Sequence, residues 1–568
     1  MLPSVLTLCL IACPFATGRT GSSETCTAGS VAGAIDSPKE IRSHHGVLRA
    51  DLTFRNAADA NGNMQYCYLD KSGNRSPTLR VNPGDWVILK LKNELTVGNN
   101  GDRRNPHPRS ACDMLMTPDV TNLHFHGLSI PPSCHADDSL RTSIPAFGKP
   151  FVYRFRISPQ QSPGLYWYHP HIHGRSEEQV LGGASGAFIV GGIVNKVPEV
   201  AGLPERIVVL RDHQLGRSAH RLPDRPLPSR DLSVNYVSVP YPDYPAPVIQ
   251  SQPSVREFWR VLNASADTYV NLNLIFNGEW EKNRFVAAHP YWQELGIVAL
   301  DGVPISQANP HGKTIDWRTD VLIPPGGRAE FILQAPAEGV KAELITSGAQ
   351  ITPPIDEDSS MNSPNNPAFP VDDDDATPPR PLAKIVASES AVEPPALPHT
   401  GRPITNDNQP ALVDVVPGRS RKLYFSEEIK DPKHPAMSTS FFITEEGQVP
   451  RMFDPSNLTP NIVVHQGDVE DWTIENRSQE SHVFHIHQLH FLLLERDGEP
   501  ADNHYLLDTV DVPYWDGSSK QFPSVKLRMD FRNPSIVGIF PYHCHILQHA
   551  DGGMMGLIEV RPTATARR

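Results

Sequence analysis

The chain has 568 residues, too many for a single hydrophobic core, so its length predicts two to four domains. Its 56 prolines and 39 glycines indicate many turns and favour an all-β protein over a helical one. The formal net charge of -13 gives no basis for nucleic-acid binding and favours cationic substrates or metal ions.

The chain begins MLPSVLTLCLIACPFATG, an apolar run that is too short to cross a bilayer. We predict a signal peptide over residues 1–22, and hence a secreted or periplasmic protein. The segment LIAC, which ends at Cys13, also resembles a bacterial lipoprotein cleavage box, so lipid anchoring at Cys13 stays open. The rest of the sequence contains no apolar stretch long enough for a transmembrane helix.

Cysteine usage agrees with export. Of the seven cysteines, two lie in the predicted signal and one in a C-terminal motif. The remaining four form an even set, which predicts two disulfides with three connectivities possible: Cys26, Cys67, Cys112 and Cys134.

A pattern of two apolar strands around a tight turn occurs three times, in Leu79–Leu95, Ser251–Ser265 and Ile462–Ser478. In each copy the second strand ends in an asparagine nine residues after the turn position. Alternation of apolar and polar residues between turn signals is typical of half-buried strands. Three copies predict three similar β-sandwich domains.

The repeats and composition shifts set the predicted boundaries. The first domain covers residues 23–197, the second 198–398 and the third 399–563. Within the second domain, residues 353–381 are rich in proline and aspartate. Because such a segment cannot bury apolar surface, we predict a mobile loop there.

Four histidine motifs stand near the two ends of the chain: LHFHG, WYHPHIHG, SHVFHIHQLH and YHCHILQH. Each contains a pair of the form H-x-H, and residues i and i+2 of a strand share one face. The four pairs predict eight imidazoles that converge on a metal cluster: His124, His126, His169, His171, His485, His487, His543 and His545.

The last motif adds sulfur. Cys544 lies between two histidines, His549 follows, and methionines come next. A thiolate with imidazoles and a weak axial methionine is typical of a blue-copper electron-transfer site. On a strand Cys544 points away from its two neighbours, so one thiolate could receive electrons while the adjacent imidazoles pass them to the cluster.

The four motifs, their order and the three repeats resemble the multicopper oxidase family, which includes laccases, copper-tolerance oxidases, ascorbate oxidase and ferroxidases. The resemblance covers nearly the whole chain after the signal. It implies an all-β fold of three cupredoxin-like Greek-key β-sandwich domains and four copper ions, one type 1, one type 2 and two type 3.

The resemblance also implies a ligand for each copper. The type 1 ion would be held by Cys544, His482 and His549, with Met554 as axial ligand. The type 2 ion would be held by His124 and His487. The two type 3 ions would be held by His126, His169 and His545 and by His171, His485 and His543.

Acids complete the predicted site, because reducing dioxygen to water consumes protons. By resemblance, Asp137 or Asp138 would serve the cluster, and Asp212 would stand beside the type 1 pocket and pair with a phenol or amine. Many bacterial relatives have glutamate directly after the last type 1 histidine. Here that position is Ala550, with Asp551 next, so the chain departs from the family pattern and the relay stays an open question.

The leading interpretation is therefore a laccase-like oxidase that takes single electrons from phenols or aromatic amines and reduces dioxygen. Two alternatives remain: a metallo-oxidase for Cu(I) or Fe(II), and a blue-copper electron carrier without oxidase activity. The sequence shows no methionine-rich insert for cuprous ion, and it does not determine the oligomeric state.

Overall fold

The structure is a computed structural model. It describes residues 26, 30–31, 33–96, 111–112, 117–216, 219–220, 222, 227–281, 284–286, 291–308, 312–353, 377–401, 410–431 and 438–563. The predicted signal peptide with Cys13, and most of the predicted loop 353–381, lie outside the described residues. The predicted end of that loop at residue 381 is wrong, because a strand begins at Arg380.

The first group of strands forms two main sheets, ordered β1-β4-β11-β10-β7 and β3-β2-β5-β9, and the small pair β6-β8. A short helix, α1 (Ser176–Leu181), lies between the last two strands. The strands are β1 (Glu40–Arg42), β2 (Val47–Ala58), β3 (Met64–Asp70), β4 (Thr78–Val81), β5 (Trp86–Asn93), β6 (Val120–Thr121), β7 (His124–His126), β8 (Ile144–Pro145), β9 (Phe151–Arg156), β10 (Gly164–His169) and β11 (Gly186–Val190).

The second group also forms two main sheets and the hairpin β18-β19. One sheet has the order β14-β13-β12-β16-β25-β21-β22, with β23 paired to β21. The other has the order β15-β27-β26-β17-β20, with β24 paired to β17. It contains the helix α2 (Ile305–Ala308). Its strands are β12 (Glu205–His213), β13 (Asp231–Val234), β14 (Val237–Val239), β15 (Val248–Ser251), β16 (Arg256–Asn263), β17 (Val270–Phe276), β18 (Glu279–Glu281), β19 (Arg284–Val286), β20 (Tyr291–Trp292), β21 (Leu295–Leu300), β22 (Val303–Pro304), β23 (Asp316–Arg318), β24 (Asp320–Ile323), β25 (Arg328–Gln334), β26 (Ala342–Thr346) and β27 (Arg380–Ala387).

The third group forms two sheets. One has the order β29-β28-β31-β37-β33-β34, with β35 paired to β33, and the other has the order β30-β39-β38-β32-β36. The helix α3 (Leu547–Asp551) precedes its last strand. Its strands are β28 (Arg419–Ile429), β29 (Thr439–Glu445), β30 (Ile462–His465), β31 (Val469–Asn476), β32 (His482–Ile486), β33 (Phe491–Arg496), β34 (Glu499–Pro500), β35 (Leu506–Leu507), β36 (Thr509–Val512), β37 (Ser524–Asp530), β38 (Gly538–Cys544) and β39 (Met555–Arg561). The prediction of an all-β chain is confirmed.

The three repeats form the same substructure in each group: β4 and β5, β15 and β16, and β30 and β31. The turn position has a positive φ in every copy, 85° at Gly84, 59° at Ser254 and 103° at Gly467. The asparagine at the end of the second strand is buried, and its side-chain amide donates to backbone carbonyls of two separate segments in all three copies: Asn93, Asn263 and Asn476. The repeated asparagine therefore ties loops to the sandwich.

Two disulfides join the four predicted cysteines, and both lie in the first group. Cys26 pairs with Cys67, and Cys112 pairs with Cys134. This settles the connectivity that the sequence left open. Among the described residues, no helix has the length and apolar character needed to cross a membrane.

Candidate metal centres

Two strand pairs bring the histidine motifs together between the first and third groups. β7 pairs with β10, so that His124 lies opposite His169. β32 pairs with β38, so that His485 lies opposite His543. Eight histidines from both ends of the chain thus form one buried centre, each at most 3% exposed: His124, His126, His169, His171, His485, His487, His543 and His545.

Within this eight-histidine centre the ring nitrogens gather in threes, with all ligand atoms of a group within 4.8 Å of one another. The groups include His126 with His169 and His545, His171 with His487 and His543, and His124 with His126 and His485. The Nε2 atom of His543 lies 3.2 Å from that of His171 and 3.3 Å from that of His487. Such convergence of imidazole nitrogens is the donor set that copper prefers.

One part of the predicted ligand partition differs from the structure. The sequence analysis grouped His485 with His171 and His543, whereas the structure gathers His487 with them. The strand β32 ends at Ile486, and Gln488 has a φ of 62°, so the chain turns just after His487. Both histidines of this H-x-H pair still belong to the eight-histidine centre, but the grouping of ring nitrogens favours the opposite partition between them.

Hydrogen-bond acceptors fix the outward-facing nitrogens. Asp137 lies 3.0 Å from His124 Nδ1, and Asp508 lies 3.0 Å from His126 Nε2. Backbone carbonyl oxygens accept from three further rings: Pro170 from His169 at 3.0 Å, Asp508 from His485 at 2.7 Å, and Cys544 from His543 at 2.7 Å. A ring whose outer nitrogen donates is held with its other nitrogen deprotonated toward the interior, as a metal ligand requires.

The inward-facing nitrogens fit a metal. Several are buried without a hydrogen-bond partner: His124 Nε2, His126 Nδ1, His169 Nε2, His485 Nε2 and both nitrogens of His545. Burial, followed by neighbouring imidazoles, lowers the pKa of most of these rings well below its usual range and that of His543 to about 4. The rings with a lowered pKa are therefore neutral, and neutral imidazoles with unpaired nitrogens in a dry interior match the copper-binding prediction.

A second, mononuclear centre lies within the third group. The Sγ atom of Cys544 is 3.7 Å from Nδ1 of both His482 and His549, and these two nitrogens are 3.1 Å apart. All three side chains are buried, and Met554 belongs to the same buried cluster as Cys544. One thiolate and two imidazoles match the donor set of blue-copper sites.

The two centres are joined through three consecutive residues. Cys544 faces the mononuclear centre, while His543 and His545 belong to the eight-histidine centre. This is the alternation that the sequence predicted for a strand, since Cys544 is the last residue of β38. A short bonded path therefore links the thiolate to the cluster.

Two glutamates cover the outer edge of the mononuclear centre. Glu427 Oε1 lies 3.0 Å from His482 Nε2, and Glu480 Oε1 lies 2.9 Å from His549 Nε2. Burial alone would raise the pKa of Glu427, but the hydrogen bond and charge of His482 lower it overall. The glutamate side chains are 15% and 14% exposed, whereas the two histidines are 2% exposed or less. The carboxylates thus lie between the imidazoles and the solvent.

The two acids after the first motif have different environments. Asp137 is buried against His124 and also accepts from the backbone N–H of Phe125 at 3.0 Å. Asp138 instead accepts from the backbone N–H of Arg141 at 3.1 Å, and burial raises its pKa. Of the two candidates, Asp137 is the one in contact with a cluster histidine.

Asp212 does not lie where the sequence analysis placed it. It is fully buried, and its carboxylate accepts from the backbone N–H groups of Ala266, Asp267 and Thr268 at 2.8 to 3.2 Å. The outer nitrogens of His482 and His549 contact glutamates instead. Asp212 supports the centre indirectly, because the loop it holds accepts from the N–H of Leu547 at the start of α3, which carries His549.

Sequence reasoning missed Asp508, Glu427 and Glu480. Asp508 binds Arg328 through two contacts of 2.6 Å and is fully buried. Asp508 does not lie at a fixed spacing from any histidine motif. Glu427 does not either, because it is on a strand far from the motifs in sequence. Glu480 stands two residues before His482, which is the one local signal available.

Comparisons with known proteins agree with this geometry. Residues 115–193 and 429–564 each match a family profile described as multicopper oxidase. A multicopper oxidase of Staphylococcus haemolyticus is 23% identical over 512 residues, covering 86% of this chain and 90% of that protein. An iron transport multicopper oxidase of Gibberella zeae is 22% identical, covering 86% and 72%.

Solved structures share the fold. The multicopper oxidase from Campylobacter jejuni, described as a metallo-oxidase, has a TM-score of 0.63 at 22% identity and covers 94% of this chain and 96% of that one. Fold and site together define a cupredoxin-like, copper-binding oxidoreductase. The two matched profiles, the curated relatives and the solved structures all support the multicopper oxidase family.

Proposed function

We propose that the chain couples one-electron oxidation of a reductant at a type 1 copper to four-electron reduction of dioxygen to water at a trinuclear copper cluster. Four copper ions would be bound, one by Cys544, His482 and His549 with Met554, and three by the eight-histidine centre. Copper supplies one-electron redox chemistry and oxygen binding in such sites. The observation that carries the proposal is the sequence His543-Cys544-His545, whose side chains belong to both centres.

For the reductant we propose electron-rich phenols or aromatic amines. A phenol loses an electron most readily as it loses its proton, so a carboxylate beside the electron-accepting imidazole assists the step. Glu427 and Glu480 occupy that position, the role that the sequence analysis gave to Asp212. Both side chains are partly exposed, at 15% and 14%, as the approach of a reductant from solution would require.

A metallo-oxidase is the second candidate, because the same two carboxylates favour a small cation. Oxygen ligands of this kind bind hard cations directly. The net charge of -13 attracts cations. The relatives named for iron transport and metal oxidation add support, although at 22% identity they share no more than the family and the fold.

The test measures oxygen consumption by copper-loaded protein with a phenol, with Fe(II), with Cu(I) and with a non-protic dye. Glu480→Gln and Glu427→Gln are compared with Glu446→Gln, an exposed glutamate on the same domain. If phenols are the substrates, the two variants lower phenol turnover and spare the dye. A raised KM for metal ions with unchanged phenol turnover would establish the metallo-oxidase instead. If no reductant supports oxygen uptake, the chain is an electron carrier without oxidase activity.

We also propose export of the protein, on the basis of its N-terminal sequence and of two disulfides in the first domain. Mass spectrometry of the mature protein distinguishes the two outcomes left open. Cleavage near residue 22 indicates a secreted protein, and a lipid on Cys13 indicates an anchored one.

A further inference from the structure

Gln488 follows the third histidine motif and is unusual in both backbone and side chain. Its φ of 62° lies in the left-handed region, where a residue other than glycine is strained. Its side chain is buried, and Oε1 has no hydrogen-bond partner among the described residues. An unsatisfied buried amide oxygen destabilises the folded state. A glycine would avoid both costs, so the glutamine side chain must serve another purpose.

The amide nitrogen shows what that purpose is. Gln488 Nε2 donates to Asp137 Oδ2 at 2.5 Å, across 351 positions of sequence. Asp137 and His124 belong to the first domain, whereas Gln488 belongs to the third. This hydrogen bond therefore crosses the interface in which the eight-histidine centre is built.

Asp137 receives donors from three directions: the ring of His124, the backbone of Phe125 and the amide of Gln488. A carboxylate surrounded by donors acts purely as an acceptor. His124 must then carry its proton on Nδ1, which leaves Nε2 free for a metal. The amide of Gln488 supports this arrangement from the opposite domain.

We propose that Gln488 is a positioning residue of the eight-histidine centre, holding Asp137 and thereby His124 in register with the third-domain ligands. The inference rests on the proposed function, since it assumes that the centre binds copper. It concerns the copper next to His124, the type 2 ion. Loss of a hydrogen-bonding partner behind a ligand typically lowers metal affinity by about 10–100-fold.

Two variants separate the amide from the backbone strain. Gln488→Gly removes the amide and relieves the left-handed strain, whereas Gln488→Leu removes the amide and keeps the strain. The control is Asn277→Gly, at an exposed position with a φ of 58° in the second domain. For each protein we measure the unfolding free energy without copper, the copper content, the blue absorbance and the electron paramagnetic resonance signal of type 2 copper.

We expect both Gln488 variants to keep the blue absorbance and to bind type 2 copper about 10–100-fold more weakly. In the copper-free state Gln488→Gly should be more stable than Gln488→Leu, and the control should bind copper like the wild type. Type 2 copper retained in both variants, or lost in Gln488→Leu alone, would overturn the inference. A wild-type protein without a type 2 signal would instead refute the proposed function.

Discussion

The two candidate copper centres are built in opposite ways. The mononuclear centre draws its residues from one domain, with His482 and His549 separated by 67 positions. The eight-histidine centre draws on both ends of the chain, and contacts such as that between His126 and Asp508 span 382 positions. The first centre therefore depends on the fold of one β-sandwich, whereas the second depends on the docking of two.

The groups behind the ligands differ as well. Asp137 and Asp508 behind the cluster have fully buried side chains, whereas Glu427 and Glu480 behind the mononuclear centre are partly exposed. Buried acceptors fix ligand rings without contact with solvent, and partly exposed ones can also meet a reductant. The acceptors behind the eight-histidine centre are therefore shielded from solvent, whereas those behind the mononuclear centre are partly accessible to it.

The largest effect is expected from Cys544→Ser, which separates the centres. Serine offers no soft thiolate, so the blue absorbance and the oxidase activity should fall to background. The type 2 copper signal should remain, because the imidazoles of the eight-histidine centre are unchanged. Absorption and paramagnetic resonance spectra check both points, and a variant that is still blue and active would contradict the assignment.

Asp508→Asn tests the dependence on docking. It removes the closer of two carboxylates paired with the buried guanidinium of Arg328, the other being Asp301 at 3.5 Å, and should lower the unfolding free energy by up to about 3–5 kcal/mol. It also leaves a single amide oxygen to accept from both His126 and Arg328, so copper should be lost from the cluster before the mononuclear centre. Denaturant titration and copper analysis measure these effects, and equal loss from both centres would show that the centres are not independent.

Asp137→Asn, with Asp138→Asn as its matched neighbour, tests proton supply to the enclosed centre. If Asp137 assists proton transfer, reoxidation by dioxygen should slow by about 10²-fold or more while reduction by substrate is unchanged. The Asp138 variant should reoxidise normally, because its carboxylate binds the backbone of Arg141. Stopped-flow reoxidation rates decide the matter, and identical rates in wild type and Asp137→Asn would exclude the role.

Asp212→Asn should have the smallest and least selective effect. Turnover of a phenol and of a non-protic dye should fall equally, since Asp212 supports the loop next to α3 and does not touch the mononuclear histidines. Selective loss of phenol turnover would restore the original assignment of Asp212.

The pH dependence of stability gives a second measurement on the same variant. Burial, followed by the charge of Asp267, raises the pKa of Asp212 from 3.8 to about 6. A raised carboxyl pKa gives stability that is present below 3.8 and lost as the pH rises through about 6. Asp212→Asn should abolish this decline in unfolding free energy, and an unchanged pH profile would contradict the shift.

Local sequence patterns predicted much of this protein. The turn-and-asparagine repeat identified three β-sandwiches, because the left-handed turn position and the buried asparagine lie at a fixed spacing within one short segment. Alternation on a strand predicted that Cys544 faces away from His543 and His545, because the geometry of a strand is fixed over neighbouring residues. Four cysteines predicted two disulfides without their pairing.

Only the tertiary structure decided what depends on distant segments. It grouped His487, and not His485, with His171 and His543, because this grouping depends on how the first and third domains pack together. It buried Asp212 behind the loop of Ala266 to Thr268 and placed Glu427, Glu480 and Asp508 behind ligands. The identity of a metal ligand is a short-range property of residue type and spacing. The partner behind each ligand is chosen by the packing of one domain against another, and no spacing along the chain encodes it.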